Sequence, residues 1–185
     1  MKKYVRCKAC GYIMEEGALH DVCPVCGLPK TVFEPYTKKL SPNRRLILDQ
    51  HLHPVEVHFP QVFVAMILLC LPLSTVVGDP LRSDLLSVVK ISILLLPFGV
   101  LGAFLTGLLD AKVRFKKLNA PLLVKKMIFG CVLQVISCII FGVYWTGGLS
   151  DQTFWPIEIL TLAATACAIY LGRAGSGMFD SFIAG

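Results

Sequence analysis

The sequence predicts a small metal-bound domain followed by an all-α bundle of four transmembrane helices. Two observations predict this fold class: four cysteines form two C-x-x-C pairs near the N-terminus, and long apolar segments fill most of the remaining chain. Of the 185 residues, 55% are hydrophobic and only 16% are charged, whereas soluble domains average about 25% charged residues. We therefore expect a metal-binding domain in 1–36, a basic linker in 37–50, a transmembrane domain in 51–172 and a cytoplasmic tail in 173–185.

Two C-x-x-C turns form the candidate metal site, and its ligands are Cys7, Cys10, Cys23 and Cys26. Each turn can direct two thiolates toward one ion, and four thiolates at tetrahedral positions suit zinc or a mononuclear iron centre. Gly11 and Gly27 directly follow the pairs, where we expect a positive φ and a close approach of backbone N–H groups to sulfur. Because so short a segment cannot build a self-sufficient core, we expect the metal to hold it together.

The residues around these cysteines resemble the rubredoxin-like domain of rubrerythrins. The similarity covers about residues 3–36 and is carried by C-G-Y after the first pair, by C-P-V-C-G-L-P-K at the second, and by the short insert at 13–17. The resemblance implies a rubredoxin-like β/loop fold, an Fe(SCys)4 centre that cycles between ferric and ferrous iron, and a small aromatic core of Tyr4, Tyr12 and Phe33. The alternative is a zinc ribbon, which uses the same ligands without redox chemistry.

Four apolar segments follow the linker, at residues 59–77, 88–109, 124–145 and 154–172. Each is long enough to cross a hydrocarbon core of ~30 Å as a helix, and Pro97 predicts a kink in the second. Small residues recur on three of these segments at intervals that let helices pack closely, within one bundle or across a dimer interface. These residues are Gly99, Ala103 and Gly107, then Gly130, Gln134, Cys138 and Gly142, then Ala164, Ala168 and Gly172.

The basic residues predict the orientation in the membrane. The loop between the second and third segments contains Lys112, Arg114, Lys116 and Lys117, whereas the loop at 146–153 contains no Lys or Arg. The positive-inside rule therefore places both termini in the cytoplasm, in the cytoplasmic membrane of a bacterium or archaeon. The charged start at Met1, without an apolar stretch before the first cysteine pair, agrees because it is not typical of a signal peptide. Anionic lipid accounts for the basic linker, so no nucleic-acid partner is predicted.

Three histidines lie where the linker enters the first apolar segment: His51, His53 and His58. Imidazole at a membrane boundary is a candidate haem or metal ligand or a proton carrier, and the alternative is that these residues only anchor an interfacial helix. On one helix, His53 and His58 would point about 140° apart, so a haem bound by both would need a second segment or a symmetry partner. Pro54 is expected to prevent a continuous helix from His51 to His58.

Residues 50–172 resemble an uncharacterised family of four-helix bacterial membrane domains. The opening motif H-P-x-x-V-H-F-P, which begins at His53, carries this resemblance, and the sequence from Thr106 to Asp110 supports it more loosely. The resemblance implies haem b or quinone chemistry. We expect His53 and His58 to bind the haem, and Asp110 and Thr106 to orient a histidine ring. The alternative for Asp110 is an ion pair with Lys112 or Arg114.

These expectations combine into a membrane-anchored electron carrier. The metal head would exchange single electrons with a soluble cytoplasmic donor or acceptor and with haem b or a quinone in the lipid bilayer, and the haem would be held most simply in a homodimer. The alternatives are a zinc-bound membrane scaffold and a transporter or sensor of metal or redox state. The sequence contains no recognisable hydrolytic triad, phosphate loop or dinucleotide fingerprint, so independent catalysis is not predicted.

Overall fold

The computed structural model describes residues 3–37, 47, 50–115, 119 and 121–183. The predicted basic linker lies almost entirely outside the described residues, as do Lys116 and Lys117 of the basic loop. The chain divides into two compact units, one of residues 1–42 with 173–185 and the other of residues 43–172. The first, called the N-terminal unit below, contains the four cysteines of the candidate metal site, and the second contains the long helices up to residue 172.

The N-terminal unit is built on a three-stranded antiparallel sheet, which agrees with the predicted β/loop fold. Strand β1 (Tyr4–Cys7) lies at the centre, between β2 (Ile13–Glu15) and β3 (Phe33–Tyr36). Two short 3-10 turns follow β2 and precede β3, at Glu16–Ala18 and Lys30–Val32. The sheet is too small to enclose a core of its own, so it serves mainly to bring the two cysteine turns together.

One of the three residues predicted to form the aromatic core of this unit, Tyr12, is exposed. Tyr4 and Phe33 are half-buried, but Tyr12 is 39% exposed. Tyr12 lies in the turn beyond Gly11, outside the strands, whereas side chains alternate between the two faces along β1. That alternation buries Val5 and Cys7 on one face of the sheet. Apart from cysteines, Val5 is the most completely buried apolar side chain in the described part of this unit.

The second unit contains four helical spans that are long and apolar enough to cross a membrane: Leu52–Leu73, Leu81–Val113, Pro121–Gly147 and Asp151–Gly175. They belong to helices α1 (Leu52–Glu56), α2 (His58–Leu73), α3 (Leu81–Phe115), α4 (Pro121–Gly147) and α5 (Asp151–Ile183). The predicted all-α bundle of four spans is therefore confirmed, while the orientation of its termini stays a prediction. Helix α3 continues through Pro97, and α5 continues beyond the predicted end at residue 172.

His51 and His58 do not lie on one continuous helix, as predicted, but the break in the first span is at Val57 and not at Pro54. Pro54 is the third residue of α1, where the backbone N–H has no partner within the helix and its loss is tolerated. The break is instead explained by Pro60, which lies four residues after Glu56. Proline cannot donate to the carbonyl four residues earlier, and its ring crowds that carbonyl. Val57 keeps right-handed helical angles (φ −63°, ψ −19°), so the two helices still form one span.

Small residues let α3 pack closely against its neighbours. A Cβ at Gly99 would lie 3.3 Å from the Phe63 ring of α2, and a Cβ at Gly130 of α4 would lie 2.8 Å from the Phe104 ring of α3. By contrast, a Cβ at Gly142 would meet no atom within 4 Å. The described contacts at Gly99 and Gly130 are thus packing within one chain, which was one of the two predicted uses of these residues.

Gly130 and Gly142 provide a matched pair of substitutions on α4. We expect Gly130→Val to lower the stability of the bundle by about 1–3 kcal/mol, because the new side chain overlaps the Phe104 ring. Gly142→Val carries the same change in helix propensity without the overlap, so its Tm should stay near that of the wild type. The thermal midpoints of both purified variants in detergent check this. Equal losses at the two positions would show that the α3–α4 contact at Phe104 is not close.

Candidate metal centre and histidine cluster

The two cysteine turns have the same backbone geometry. The N–H of Gly11 donates to the Cys7 carbonyl and the N–H of Gly27 donates to the Cys23 carbonyl, both at 2.9 Å. The N–H of each first cysteine donates in turn to the carbonyl of the residue five positions later, at 2.8 Å for Cys7 and 2.7 Å for Cys23. Gly11 and Gly27 have φ values of 73° and 72°, which confirms the predicted positive φ. Glycine is required there because a Cβ is strained in this conformation.

The turns bring the four sulfurs together in a metal-binding arrangement. All four Sγ atoms lie within 4.8 Å of one another, and the Cys7–Cys26 and Cys10–Cys23 pairs are each 3.7 Å apart. A tetrahedral site with a metal–sulfur bond of ~2.3 Å has sulfur–sulfur edges of about 3.8 Å. A disulfide would need ~2.05 Å, and the four cysteines are free thiols. The donor set and its spacing therefore fit one tetrahedral ion.

Backbone N–H groups point toward each sulfur and stabilise negative charge on it. The N–H of Cys10, and with it that of Ala9, lowers the pKa of Cys7. Burial raises the pKa of Cys23, but the N–H groups of Cys26 and Val25 outweigh it and bring the value to about 7. The first cysteine of each turn therefore ionises most readily.

The second cysteine of each turn holds its proton more firmly than the first. The Tyr12 N–H lowers the pKa of Cys10, but burial and the three neighbouring sulfurs raise it to about 12. The pKa of Cys26 is also raised, despite the Leu28 N–H, which acts to lower it. Four thiolates cannot share this volume unless a cation balances their charge. The cluster is thus built for a metal and not for four free thiols.

The sulfurs differ in their exposure to solvent. Cys7 is 0% and Cys23 1% exposed, while Cys10 is half-buried and Cys26 is exposed. Apolar side chains around the second turn are also exposed: Val22 by 51%, Val25 by 63% and Leu28 by 40%. One edge of the metal centre is therefore accessible, and the surface beside it is apolar.

Among the three clustered histidines, His53 is the one that packs into the bundle. Its ring lies against α3, where a Cβ at Gly107 would come within 2.9 Å of the ring carbon Cε1. Nδ1 lies 3.0 Å from the Ala103 carbonyl. Because a carbonyl only accepts, this hydrogen bond requires the proton on Nδ1. Gly107 of the predicted small-residue set thus makes room for an imidazole, and the hydrogen bond fixes the orientation of the ring.

His53, Thr106 and Asp110 line one small cavity, together with Leu109 and with Ile47 and Leu52. The structure thereby brings together three of the four residues that the sequence analysis assigned to a haem site. The Thr106 hydroxyl donates to the Gly102 and Ala103 carbonyls, at 2.9 and 3.1 Å, so it lies in the same hydrogen-bonded turn of α3 that receives His53. Lys126 of α4 lies close enough to Asp110 for their charges to attract.

This cavity does not fit a haem. Its volume is about 10 Å³, which is the space of about one water molecule, whereas sites for organic ligands occupy roughly 300–1,000 Å³. His58 does not complete a haem site with His53, because it is exposed at the start of α2. His51 is also exposed and precedes α1 in a left-handed conformation, with φ 52°. His53 and His58 therefore do not form one haem site within the described part of the chain.

The sequence analysis missed Glu158, a carboxylate inside the fourth span. Its Oε2 atom is buried and has no hydrogen-bond partner in the described part of the structure. The signal was present in the sequence, because Glu158 is the one acidic residue within the apolar segment 154–172. A single charge leaves the segment apolar as a whole, and only the fold shows which residues surround Glu158.

The comparisons with known proteins agree with the metal centre. Residues 6–34 match the family model of the rubredoxin-like domain of rubrerythrin. No curated protein and no solved structure matches the chain. The match contains all four cysteines and ends before the first helical span, so it characterises the N-terminal unit.

Substituting a buried and an exposed cysteine should separate metal binding from folding of the head. Cys7→Ser and Cys26→Ser both remove one thiolate, and we expect each to lower the bound metal. Cys7→Ser should also make residues 3–37 sensitive to protease, because it leaves a hydroxyl at a fully buried position. Metal analysis and limited proteolysis of the purified proteins check this, with Cys131→Ser on the exposed face of α4 as the control. Full metal content in either head variant would contradict the four-cysteine site.

Gly107→Ala should displace the His53 ring, because the added methyl group would lie 2.9 Å from Cε1. We expect it to destabilise the bundle by about 1–3 kcal/mol, measured as a lower Tm. The same substitution should cost much less in a His53→Ala background, where the ring is absent. This double-mutant cycle isolates the contact. Additive losses in the cycle would mean that the ring does not rest on Gly107.

Proposed function

We propose that this chain, whose N-terminal unit is a rubredoxin-like metal-binding domain, is a membrane-anchored carrier of single electrons. The single observation that carries the proposal is the cluster of four cysteine sulfurs at tetrahedral spacing, in a segment that matches the rubredoxin-like domain of rubrerythrin. Its fusion to four helices that are apolar enough to cross a membrane supports a role at the membrane surface.

Iron bound by four thiolates would supply one-electron redox chemistry. The residues of the head are arranged to keep this exchange fast. Two hydrogen-bonded turns hold the sulfurs at their positions, so little of the protein needs to move when the charge of the site changes. Backbone N–H groups directed at all four sulfurs stabilise the added negative charge. Burial of Cys7 and Cys23 excludes water from one side of the site.

A soluble partner can reach the site through its exposed edge. Cys26 is exposed, and Val22, Val25 and Leu28 flank the second cysteine turn with exposed apolar side chains. Small apolar surfaces of this kind suit brief encounters between redox proteins, whose interfaces are under about 1,200 Å². We propose that a soluble cytoplasmic redox protein docks here and exchanges one electron with the head.

The membrane unit would keep the head close to its second redox partner. Because the cavity beside His53 does not fit a haem, a lipid-soluble quinone is the acceptor class in the membrane that we favour. In this proposal the helices anchor the carrier and hold no redox group of their own. The predicted homodimer is not needed for electron transfer by the head.

Visible absorption of the purified full-length protein tests the proposal. Protein from iron-supplied cells should show sulfur-to-iron charge-transfer bands when air-oxidised, and dithionite should bleach them. Metal analysis should give about one iron per chain, since the cluster has four ligands for one ion. The Cys26→Ser variant provides the matched control and should lose the wild-type bands. A colourless protein with one zinc per chain would contradict electron transfer and favour the scaffold alternative.

A further inference from the structure

A second cavity lies at the other end of the helical bundle from His53. It is an open cavity of about 630 Å³, lined by Phe154 and Glu158, which are half-buried, and by Pro72, Thr75, Asp151 and Trp155, which are exposed. Pro72 follows His53 by 19 residues along α1 and α2, so the two regions lie about 28 Å apart along the helix axes. This volume is within the range of sites for organic ligands, roughly 300–1,000 Å³, and no residue of the metal centre contributes to it.

Glu158 gives this cavity an unpartnered acceptor at membrane depth. It lies seven residues after Asp151, two turns along α5, so both carboxylates project from the same face of the helix. Its Oε2 atom is buried with no hydrogen-bond partner in the described part of the chain. Ionisable side chains are costly inside a membrane span, and those that occur are usually functional. A carboxylate that lacks a partner among the described residues is satisfied by a donor or a cation from beyond them.

The lining of the cavity selects the charge of a ligand. Two carboxylates line it, and its described lining residues include no Lys, Arg or His. The Thr75 hydroxyl already donates to the Pro72 carbonyl at 2.8 Å, so it offers only its lone pairs. An anionic ligand would be repelled, whereas a cation would be attracted to Glu158 and Asp151.

The aromatic residues select the rest of the ligand. Phe154 and Trp155 form an edge-to-face pair with centroids 5.3 Å apart, which gives the cavity an aromatic corner next to Glu158. Aromatic faces attract organic cations and also contact apolar groups. Pro72 extends the apolar wall from the end of α2. A bare metal ion would leave most of the cavity unfilled, while an organic cation with an apolar body would use both the carboxylate and the rings.

We propose that this cavity binds an organic ammonium cation with an apolar body. The ammonium group pairs with the carboxylate of Glu158, and the apolar body packs on Phe154 and Trp155. The ligand enters from the membrane, because the cavity is built from two membrane-spanning segments. This site is separate from the metal centre, so it does not depend on electron transfer by the head.

Binding of 4-phenylbutylammonium to the full-length protein in detergent tests the proposal. The chain has two tryptophans, so a Trp145→Phe background makes Trp155 fluorescence the reporter of the cavity. We expect a saturable change that is weakened about tenfold or more by Glu158→Gln, which removes the charge from the partner of the ammonium. Asp84→Asn is the matched control: it removes one negative charge near the start of α3 but outside the cavity, and should leave binding unchanged.

A neutral analogue keeps the test decisive even if Glu158→Gln fails to fold. 4-Phenyl-1-butanol has the same aromatic ring and chain length, but a hydroxyl replaces the ammonium group. On the Trp145→Phe protein, we expect it to bind at least about tenfold more weakly than the ammonium, since it lacks the charge that the carboxylates attract. Equal binding of the two compounds, or ammonium binding that is unchanged by Glu158→Gln in a folded protein, would overturn the proposal.

Discussion

Four sulfurs within 4.8 Å of one another are the constraint on which the N-terminal unit depends. In the described part of that unit only Val5, Cys7 and Cys23 are buried among the apolar side chains and cysteines, so there is almost no hydrophobic core to oppose chain entropy. A bound cation would supply the missing stability by binding both turns at once. The positive φ of Gly11 and Gly27, the N–H groups directed at sulfur and the end of β1 at Cys7 all serve this geometry.

The membrane unit is organised by a different interaction, the close approach of helices at small residues. Gly107 leaves room for the His53 ring on the surface of α3, where the Ala103 carbonyl accepts a hydrogen bond from Nδ1. Gly99 admits Phe63 in the same way. These contacts join α1 and α2 to α3 and close the bundle around His53 to a cavity of about 10 Å³. At the other end of the bundle, an open cavity of about 630 Å³ lies beside Glu158. The two ends therefore differ in the size of their cavities and in the residues that line them.

Much of the fold and the metal ligands could be predicted because short-range patterns determine them. The C-x-x-C spacing identifies the ligands, the following glycines identify the turns, and apolar segments of this length identify the spans. The predictions that were wrong depend on where each helix and turn begins and ends, which the sequence pattern does not locate to the residue. Pro54 and Pro60 are both prolines near a helix start, but only Pro60 lies where the carbonyl four residues earlier is already helical. The rubredoxin-like resemblance implied a core position for Tyr12, but its place in the turn leaves it exposed.

For the histidine cluster, too, the sequence pattern predicts only part of the local structure. Spacing alone correctly indicates that His53 and His58 face different directions, but it does not give the size of the space beside each ring. Gly107 determines that space, because the absence of a side chain lets the His53 ring lie directly against α3. The cavity that remains beside the ring is too small for a haem. Glu158 illustrates the converse, since a single charge in an apolar segment becomes informative only when its neighbours are known.

Reduction of the head in oriented membrane vesicles tests the central claim most directly. Inverted vesicles, with their cytoplasmic face outward, should show bleaching of the head's visible bands when a soluble cytoplasmic fraction and NADH are added outside, followed by recovery when a quinone is supplied in the membrane. Right-side-out vesicles should show neither change, because the head would be enclosed. A head that stays oxidised in inverted vesicles while dithionite still bleaches it would contradict a carrier between a soluble partner and the membrane.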